Sequence, residues 1–225
     1  MPFIIHINTA LEDASVTLIK NTQVIHQVNS TEQKNHASFI FYAINEVLKN
    51  GHITIQNIDA VSVSNGPGSY TGLRVGLSTA KGLCYSLNKP LILLNTLELM
   101  ALNFIKNHQQ ETEVLFCPMI DARRMEVYCS IYNKNLISIL PQQAIVLDEN
   151  SFEKLLKENK IVFFGSGSKK FKQITSSKNA CFISLTNSNT GIAEFILNAF
   201  NNQKFSNVAY SEPNYLKEVY TTKKS

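Results

Sequence analysis

The stretch Ser62-Val-Ser-Asn-Gly-Pro-Gly-Ser-Tyr-Thr-Gly-Leu-Arg-Val-Gly-Leu-Ser-Thr-Ala-Lys-Gly-Leu83 decides how the chain is read. Ala60 to Ser64 has the composition of a buried strand. Asn65 to Thr71 follows as a glycine-rich turn, in which Gly66 and Gly68 around Pro67 permit a sharp reversal and close backbone approach. Ser69 or Thr71 supplies an N-cap for the helix that comes next. In that helix Gly72, Gly76 and Ala80 recur every four residues, and Cys84 continues the row. A stripe of small residues lets a second helix approach closely. Glycine inside a helix costs roughly 1 kcal/mol relative to alanine, so two in one stripe point to a packing requirement.

Upstream, Phe3 to Thr9, Ser15 to Lys20 and Gln23 to Val28 are β-rich runs separated by short turns at Glu12-Asp13 and Asn21-Thr22, which predicts an antiparallel meander. Gln33 to Asn50 has helical spacing, with Phe39, Ile40, Ala43, Ile44, Val47 and Leu48 on one face and Gly51 as a stop. Downstream of the stretch, Leu91 to Leu94 reads as a strand, and Thr96 is expected to cap a helix reaching about His108.

A similar order then begins again. Val114 to Asp121, Met125 to Tyr132 and Leu136 to Leu140 are predicted strands. Ser151 is expected to cap a helix from Phe152 to about Glu158, and Ile161 to Phe164 is an apolar strand running into a second glycine turn, Gly165-Ser-Gly-Ser168. A short strand over Cys181 to Leu185 and a helix over about Thr190 to Asn201 complete it. The repeat predicts two β-β-β-α-β-α subdomains, residues 1–108 and a smaller, less regular 109–225 whose tail frays after Lys217.

With 225 residues, 44% hydrophobic and 17% charged, the chain has the composition of a globular protein. No apolar run reaches the roughly 18 residues of a membrane span, and the opening Met1-Pro-Phe-Ile-Ile-His lacks a basic leader pattern; no membrane association and a cytoplasmic location are expected. Cys84, Cys117, Cys129 and Cys181 lie far apart without a CxxC pair, so buried free thiols are expected. The net charge of +4 permits an acidic partner such as RNA without requiring one.

The strand–turn–helix context of Gly66, Gly68 and Ser69 is that of a phosphate cradle. It carries no Gly-Lys-Ser/Thr, and its glycine spacing misses GxGxxG. A structural turn that aims the small-residue helix is the preferred reading, with a nucleotide site as the alternative. Arg74 is the nearest cation. Asn8, at the end of the first strand, stands where a carboxylate would hold a metal ion for phosphate chemistry, and asparagine carries no charge to offset one. The five histidines form no HExxH pattern. Asp121-Ala-Arg-Arg-Met-Glu126 concentrates charge in a hairpin turn, readable as a solvated turn or as a surface for an acidic partner. Lys169, Lys170, Lys172, Lys178, Lys217, Lys223 and Lys224 give the second half a mild basic bias, read as a solvated face.

Asn65 to Leu83, together with Ile120-Asp-Ala-Arg-Arg-Met-Glu-Val-Tyr128, Ser211-Glu-Pro-Asn-Tyr-Leu-Lys217 and the opening Ile5-His-Ile-Asn-Thr-Ala10, resembles the TsaB (YeaZ) family over nearly the whole chain. The resemblance implies an actin/hexokinase/Hsp70-like (ASKHA, ribonuclease H-like) α/β fold. It also implies a non-catalytic relative of TsaD, the subunit that transfers threonylcarbamoyl to adenosine 37 of tRNAs. TsaD is the expected heterodimer partner, the ATPase TsaE a third subunit, and tRNA is reached through the complex. No cofactor is expected. The TsaD family carries two metal-binding histidines spaced by four, whereas here His36 is followed at that spacing by Ile40. The sequence departs from its own family at Asn8, usually Asp, and at Met125, usually Gly.

The expected interface comprises His36, Phe39, Ile40, Ala43, Gly72, Arg74, Val75, Gly76, Thr79 and Ala80, a surface also open to a homodimer when the partner is missing. On that reading Gly76→Leu abolishes partner binding and leaves the monomer folded. Two other readings compete: a residual ATP-binding or peptidase-like enzyme of the same fold, and a direct RNA-binding module.

Overall fold

Alternate residues of the first strand face opposite layers, and both layers are apolar: Ile5 and Ile7 enter one core cluster and Ile4 another. A strand buried on both faces belongs in a sheet with helices on either side. A computed structural model of the protein describes residues 1–30, 36–108, 113–184 and 191–217. The first sheet contains β1 (Phe3–Asn8), β2 (Ala14–Lys20), β3 (Gln23–Ser30), β4 (Ala60–Gly66) and β5 (Leu91–Asn95), with α1 (His36–Asn50) before β4, α2 (Tyr70–Leu87) before β5 and α3 (Thr96–Asn107) after it. The second contains β6 (Leu115–Asp121), β7 (Glu126–Tyr132), β8 (Ser138–Val146), β9 (Ile161–Phe164) and β10 (Ala180–Phe182), with α4 (Glu153–Glu158) before β9 and α5 (Ser168–Ile174) before β10. Helix α6 (Ile192–Asn201) follows.

The sheets have the same plan, in orders β3-β2-β1-β4-β5 and β10-β9-β6-β7-β8. In each, three strands form an antiparallel meander and two more add parallel to the meander's first strand. The expected duplicated α/β fold is therefore present. The second copy is thinner in helix, its α4 and α5 having 6 and 7 residues against 15 and 18 in α1 and α2.

Helix α3 joins the halves. Leu99 and Leu102 pack with Ile4 and Ile92 of the first sheet, while Leu97, Met100 and Phe104 pack with Phe116 and Phe164 of the second. Helix α6 crosses back: Ile192, Ile196 and Ala199 bury against Ile4, Ile19 and Ile92. An isolated bridge from Ser206 to Leu91 carries the chain on along the first sheet. So the second half in sequence is not the second half in space.

Local expectations were corrected at several points. Asn95, not Thr96, caps α3, its side-chain oxygen accepting from the Glu98 N–H at 3.1 Å. Ser151 accepts from the Asp148 N–H instead of capping α4, which starts behind Phe152 in a left-handed conformation. Helix α5 was not anticipated; its apolar anchor is the buried Phe171. Cys84, Cys117 and Cys129 are buried free thiols, but Cys181 is exposed. Leu185, Thr190, Lys223 and Lys224 lie outside the described residues.

Candidate functional site

Strand β4 delivers the chain into the glycine turn, and the turn's space is taken up by the protein itself. Gly66 has φ +127°, and a Cβ there would lie 2.5 Å from the Asn214 carbonyl oxygen. A Cβ on Gly68 would lie 2.2 Å from the Ala10 carbonyl oxygen. The Ser69 N–H donates to that same oxygen at 2.7 Å, while the Ser69 hydroxyl caps α2 by accepting from the Gly72 N–H at 3.3 Å. The expected phosphate cradle thus lies between the β1–β2 connection on one side and the C-terminal segment on the other. Asn8 stands beside it, its side-chain oxygen accepting from the Ala10 N–H. Among the described residues no group of three His, Cys, Asp or Glu side chains is gathered for a metal ion.

The small-residue stripe of α2 turns inward. Added Cβ atoms would meet the Thr9 carbonyl oxygen 2.0 Å from Gly72 and the Thr9 hydroxyl 2.3 Å from Gly76, and the Thr9 hydroxyl itself donates to the Gly72 carbonyl at 2.7 Å. Ala80, Ile40 and Ala43 are wholly buried in the core of the first sheet. These five residues, expected at a partner interface, are instead what brings α1 and α2 down onto their own sheet. Phe39 and Val75 are half-buried against the same core, and the half-buried Thr79 donates to the Val75 carbonyl. Among the described side chains of the expected set, Arg74 alone is exposed. His36 opens α1, and its side chain lies outside the described residues.

The outward faces of α1 and α2 carry aromatic residues that the helical spacing left aside. Phe41 and Tyr42 are 66% and 60% exposed, and Tyr85 is 85% exposed. The signal was present in Phe39-Ile-Phe-Tyr-Ala43: a helix with one buried face has no packing use for Phe41 and Tyr42. At the start of α2, the Arg74 guanidinium lies 4.0 Å from the Tyr70 ring centroid, and its Nε donates to the Tyr215 hydroxyl at 2.9 Å.

Tyr215 belongs to a C-terminal strap, residues 207–217, that runs along α2 and across the turn. The Lys81 ammonium donates to the Ala209 and Ser211 carbonyls, each at 3.0 Å. Beyond α2 the strap reaches the second sheet, where the Asn214 side-chain amide donates to Gln142 at 3.1 Å and Lys217 pairs with Glu126 at 2.6 Å. Sequence reading identified Ser211 to Lys217 as a motif but not its destination, because its partners are polar and distant in the chain.

Two sheets of identical plan, a glycine turn at the end of β4 and helices on its flank define a protein of the actin/hexokinase-like class. An inorganic polyphosphate/ATP-glucomannokinase from Arthrobacter sp. strain KM shares the fold, at TM-score 0.50 with 8% identity over 89% of this chain and all of that one. An uncharacterized Pseudomonas aeruginosa protein with similarity to peptidase YEAZ superposes at TM-score 0.80 with 18% identity, covering 96% of this chain and 100% of its own.

In sequence, residues 23–224 match the family model TsaD, tRNA N6-adenosine threonylcarbamoyltransferase. The tRNA threonylcarbamoyladenosine biosynthesis protein TsaB of Bacillus subtilis strain 168 is 30% identical over 176 residues, 76% of this chain and 74% of that protein. The chain belongs to the TsaB (YeaZ) family, within the wider TsaD-related group.

Proposed function

We propose that this protein serves tRNA threonylcarbamoyladenosine biosynthesis as a non-catalytic subunit. In this reading the outer face of α1 and α2 docks a TsaD-type threonylcarbamoyltransferase, a TsaE-type ATPase joins the assembly, and the product is modified adenosine 37 in tRNA. A second copy of the chain takes the same face when the partner is missing. The observation that carries the reading is the exposed aromatic face itself. Phe41 and Tyr42 on α1 and Tyr85 on α2 stand in solvent, on helices whose other sides pack into the core, and exposed large aromatics are a mark of an interaction surface. Family membership supplies the chemistry of the process, and the filled glycine turn supports a structural task for that element.

The test is co-purification of the full chain with the TsaD-type protein of its own source. Phe41→Glu with Tyr42→Glu is expected to abolish association and leave the thermal melt within a few degrees of wild type, since both side chains are solvated in the free protein. Wild-type association by this variant, or threonylcarbamoyl transfer to tRNA by the isolated chain, would overturn the reading.

A further inference from the structure

The β6–β7 turn holds two consecutive arginines in left-handed backbone conformations, with both side chains at the surface. Arg123 has φ 69° and Arg124 has φ 48°, a left-handed region that side chains with a Cβ avoid and that glycine and asparagine tolerate. Both residues are exposed, and among the described residues neither guanidinium has a hydrogen bond or ion pair. The reversal from β6 to β7 is closed by the Ala122 N–H donating to the Glu126 carbonyl and the Glu126 N–H donating to the Arg123 carbonyl, each at 3.1 Å, and tight hairpin turns use left-handed residues. Glycine or asparagine would serve that geometry, so the charge of the arginines is what the turn leaves unexplained.

The surroundings hold the turn and remove the competing negative charge. The Asp121 carboxylate accepts from the Arg123 N–H at 2.7 Å and from the Lys170 ammonium at 2.8 Å. The Asp121 N–H donates to the Ser166 hydroxyl at 3.0 Å, which ties the turn to the start of α5. Partial burial raises the Asp121 pKa, but Lys170 and the Arg123 N–H outweigh it and hold the carboxyl below its usual range. On the other side, Glu126 is paired with Lys217 at 2.6 Å. The two acids that flank the arginines, Asp121 and Glu126, therefore each pair with a lysine, and neither neutralises a guanidinium group. Lys169 and Lys172 of the adjoining helix are exposed as well.

We propose that the Arg123-Arg124 turn is a contact for the phosphodiester backbone of RNA, an assignment that rests on the proposed role in tRNA modification. Guanidinium is suited to this because its planar fork matches phosphate geometry and stays charged at every working pH. Several separated cations on a rigid turn and an adjoining helix fit a row of phosphates better than a single carboxylate. Such contacts position an RNA without reading its sequence. The catalytic partner would then determine which nucleotide is modified, and this turn would orient the RNA body.

The test uses the isolated full chain, an unmodified tRNA transcript and binding measured from low to moderate salt. Arg123→Asn with Arg124→Gly places tolerant residues at both left-handed positions and removes both charges. This variant is expected to remain folded, to bind the transcript several-fold more weakly, and to lose about two units of slope in log K against log salt, roughly one for each phosphate contact. Arg123→Lys with Arg124→Lys retains most of the affinity. Neutralising Lys49 and Lys134, exposed elsewhere on the chain, leaves affinity and slope close to wild type.

The proposal is overturned if the folded Asn/Gly variant binds with unchanged affinity and slope, if the Lys49/Lys134 variant weakens binding equally, or if the wild-type chain binds no transcript at low salt. It is likewise overturned if the Asn/Gly variant keeps RNA and loses only the TsaD-type partner, which would make the turn a protein-docking surface. Because binding is read on the chain alone, failure of partner association in the Phe41/Tyr42 experiment leaves this outcome readable.

Discussion

The Asn214 N–H donates to the Asn65 carbonyl at 2.7 Å, binding the C-terminal strap to the glycine turn. The side chain of Asn214 reaches the other way, to Gln142 on β8, and Gln142 also accepts from Asn95 at the end of β5. One amide side chain thus collects donors from the turn's own sheet and from the strap.

This arrangement makes Gln142 more costly to lose than Asn214. Asn214→Ala removes one hydrogen bond and is expected to cost about 1 kcal/mol, whereas Gln142→Ala strands two half-buried donors and should cost about 2 kcal/mol. The double variant should fall short of the sum by about 0.5 kcal/mol or more, because the residues share one contact. Urea denaturation of the four proteins measures this, and strict additivity would show that the strap's side-chain link carries no stability.

Glycines within α2 should respond in opposite directions. Gly76 faces the Thr9 hydroxyl and Val63, so Gly76→Leu forces a large side chain into the sheet and is expected to unfold the chain or lower its stability by about 3 kcal/mol or more. That reverses the expectation from sequence that this change would spare the monomer. Gly82 has nothing within 4 Å of an added Cβ, so Gly82→Ala should stabilise by about 1 kcal/mol through helix propensity alone. Thermal melts of the two variants distinguish an inward stripe from an outward one.

Relief of backbone strain predicts a gain at the β6–β7 turn. Arg123→Asn with Arg124→Gly should raise stability by about 1 kcal/mol, because both positions have positive φ. A fall in the urea midpoint would mean that the arginines make compensating contacts in solution.

How much was legible follows from the kind of signal each feature leaves. Both sheets could be read because runs such as Ile4-Ile-His-Ile7 and Ile161-Val-Phe-Phe164 are apolar, short and punctuated by turn residues. The direction of the Gly72/Gly76/Ala80 stripe could not be read from spacing, since glycine contributes no apolar side chain to mark its face. Leu73 and Leu77, buried beside the stripe, were the available clue that it points to the core. Helix α5 left almost no periodicity because it is 7 residues long and its apolar contacts are limited to Phe171 and the partly buried Ile174. The strap's contacts are hydrogen bonds between residues as distant as Arg74 and Tyr215, and no local pattern encodes such pairings. The exposed Phe41-Tyr42 pair was visible, but only as residues that failed to fit the buried face.

His6 gives the fold a dependence on acid. The side chain is buried on β1, its Nδ1 lies 2.9 Å from the Ser62 hydroxyl, and its Nε2 has no hydrogen-bond partner among the described residues. Burial without a counter-charge lowers its pKa from 6.5 to about 4. The folded protein therefore keeps His6 neutral while the unfolded chain takes up a proton below about pH 6.5, so this contribution to stability is complete above that value and declines as pH falls toward 4. The loss by pH 5 is on the order of 2 kcal/mol relative to pH 7.5. His6→Ala should be less stable at pH 7.5, because it leaves a cavity and leaves the Ser62 hydroxyl with only its 3.5 Å bond to the Ile5 carbonyl, yet its stability should change less between pH 6.5 and 5. Urea titrations across that interval provide the measurement, and an equally steep decline in the variant would assign the acid sensitivity to other groups.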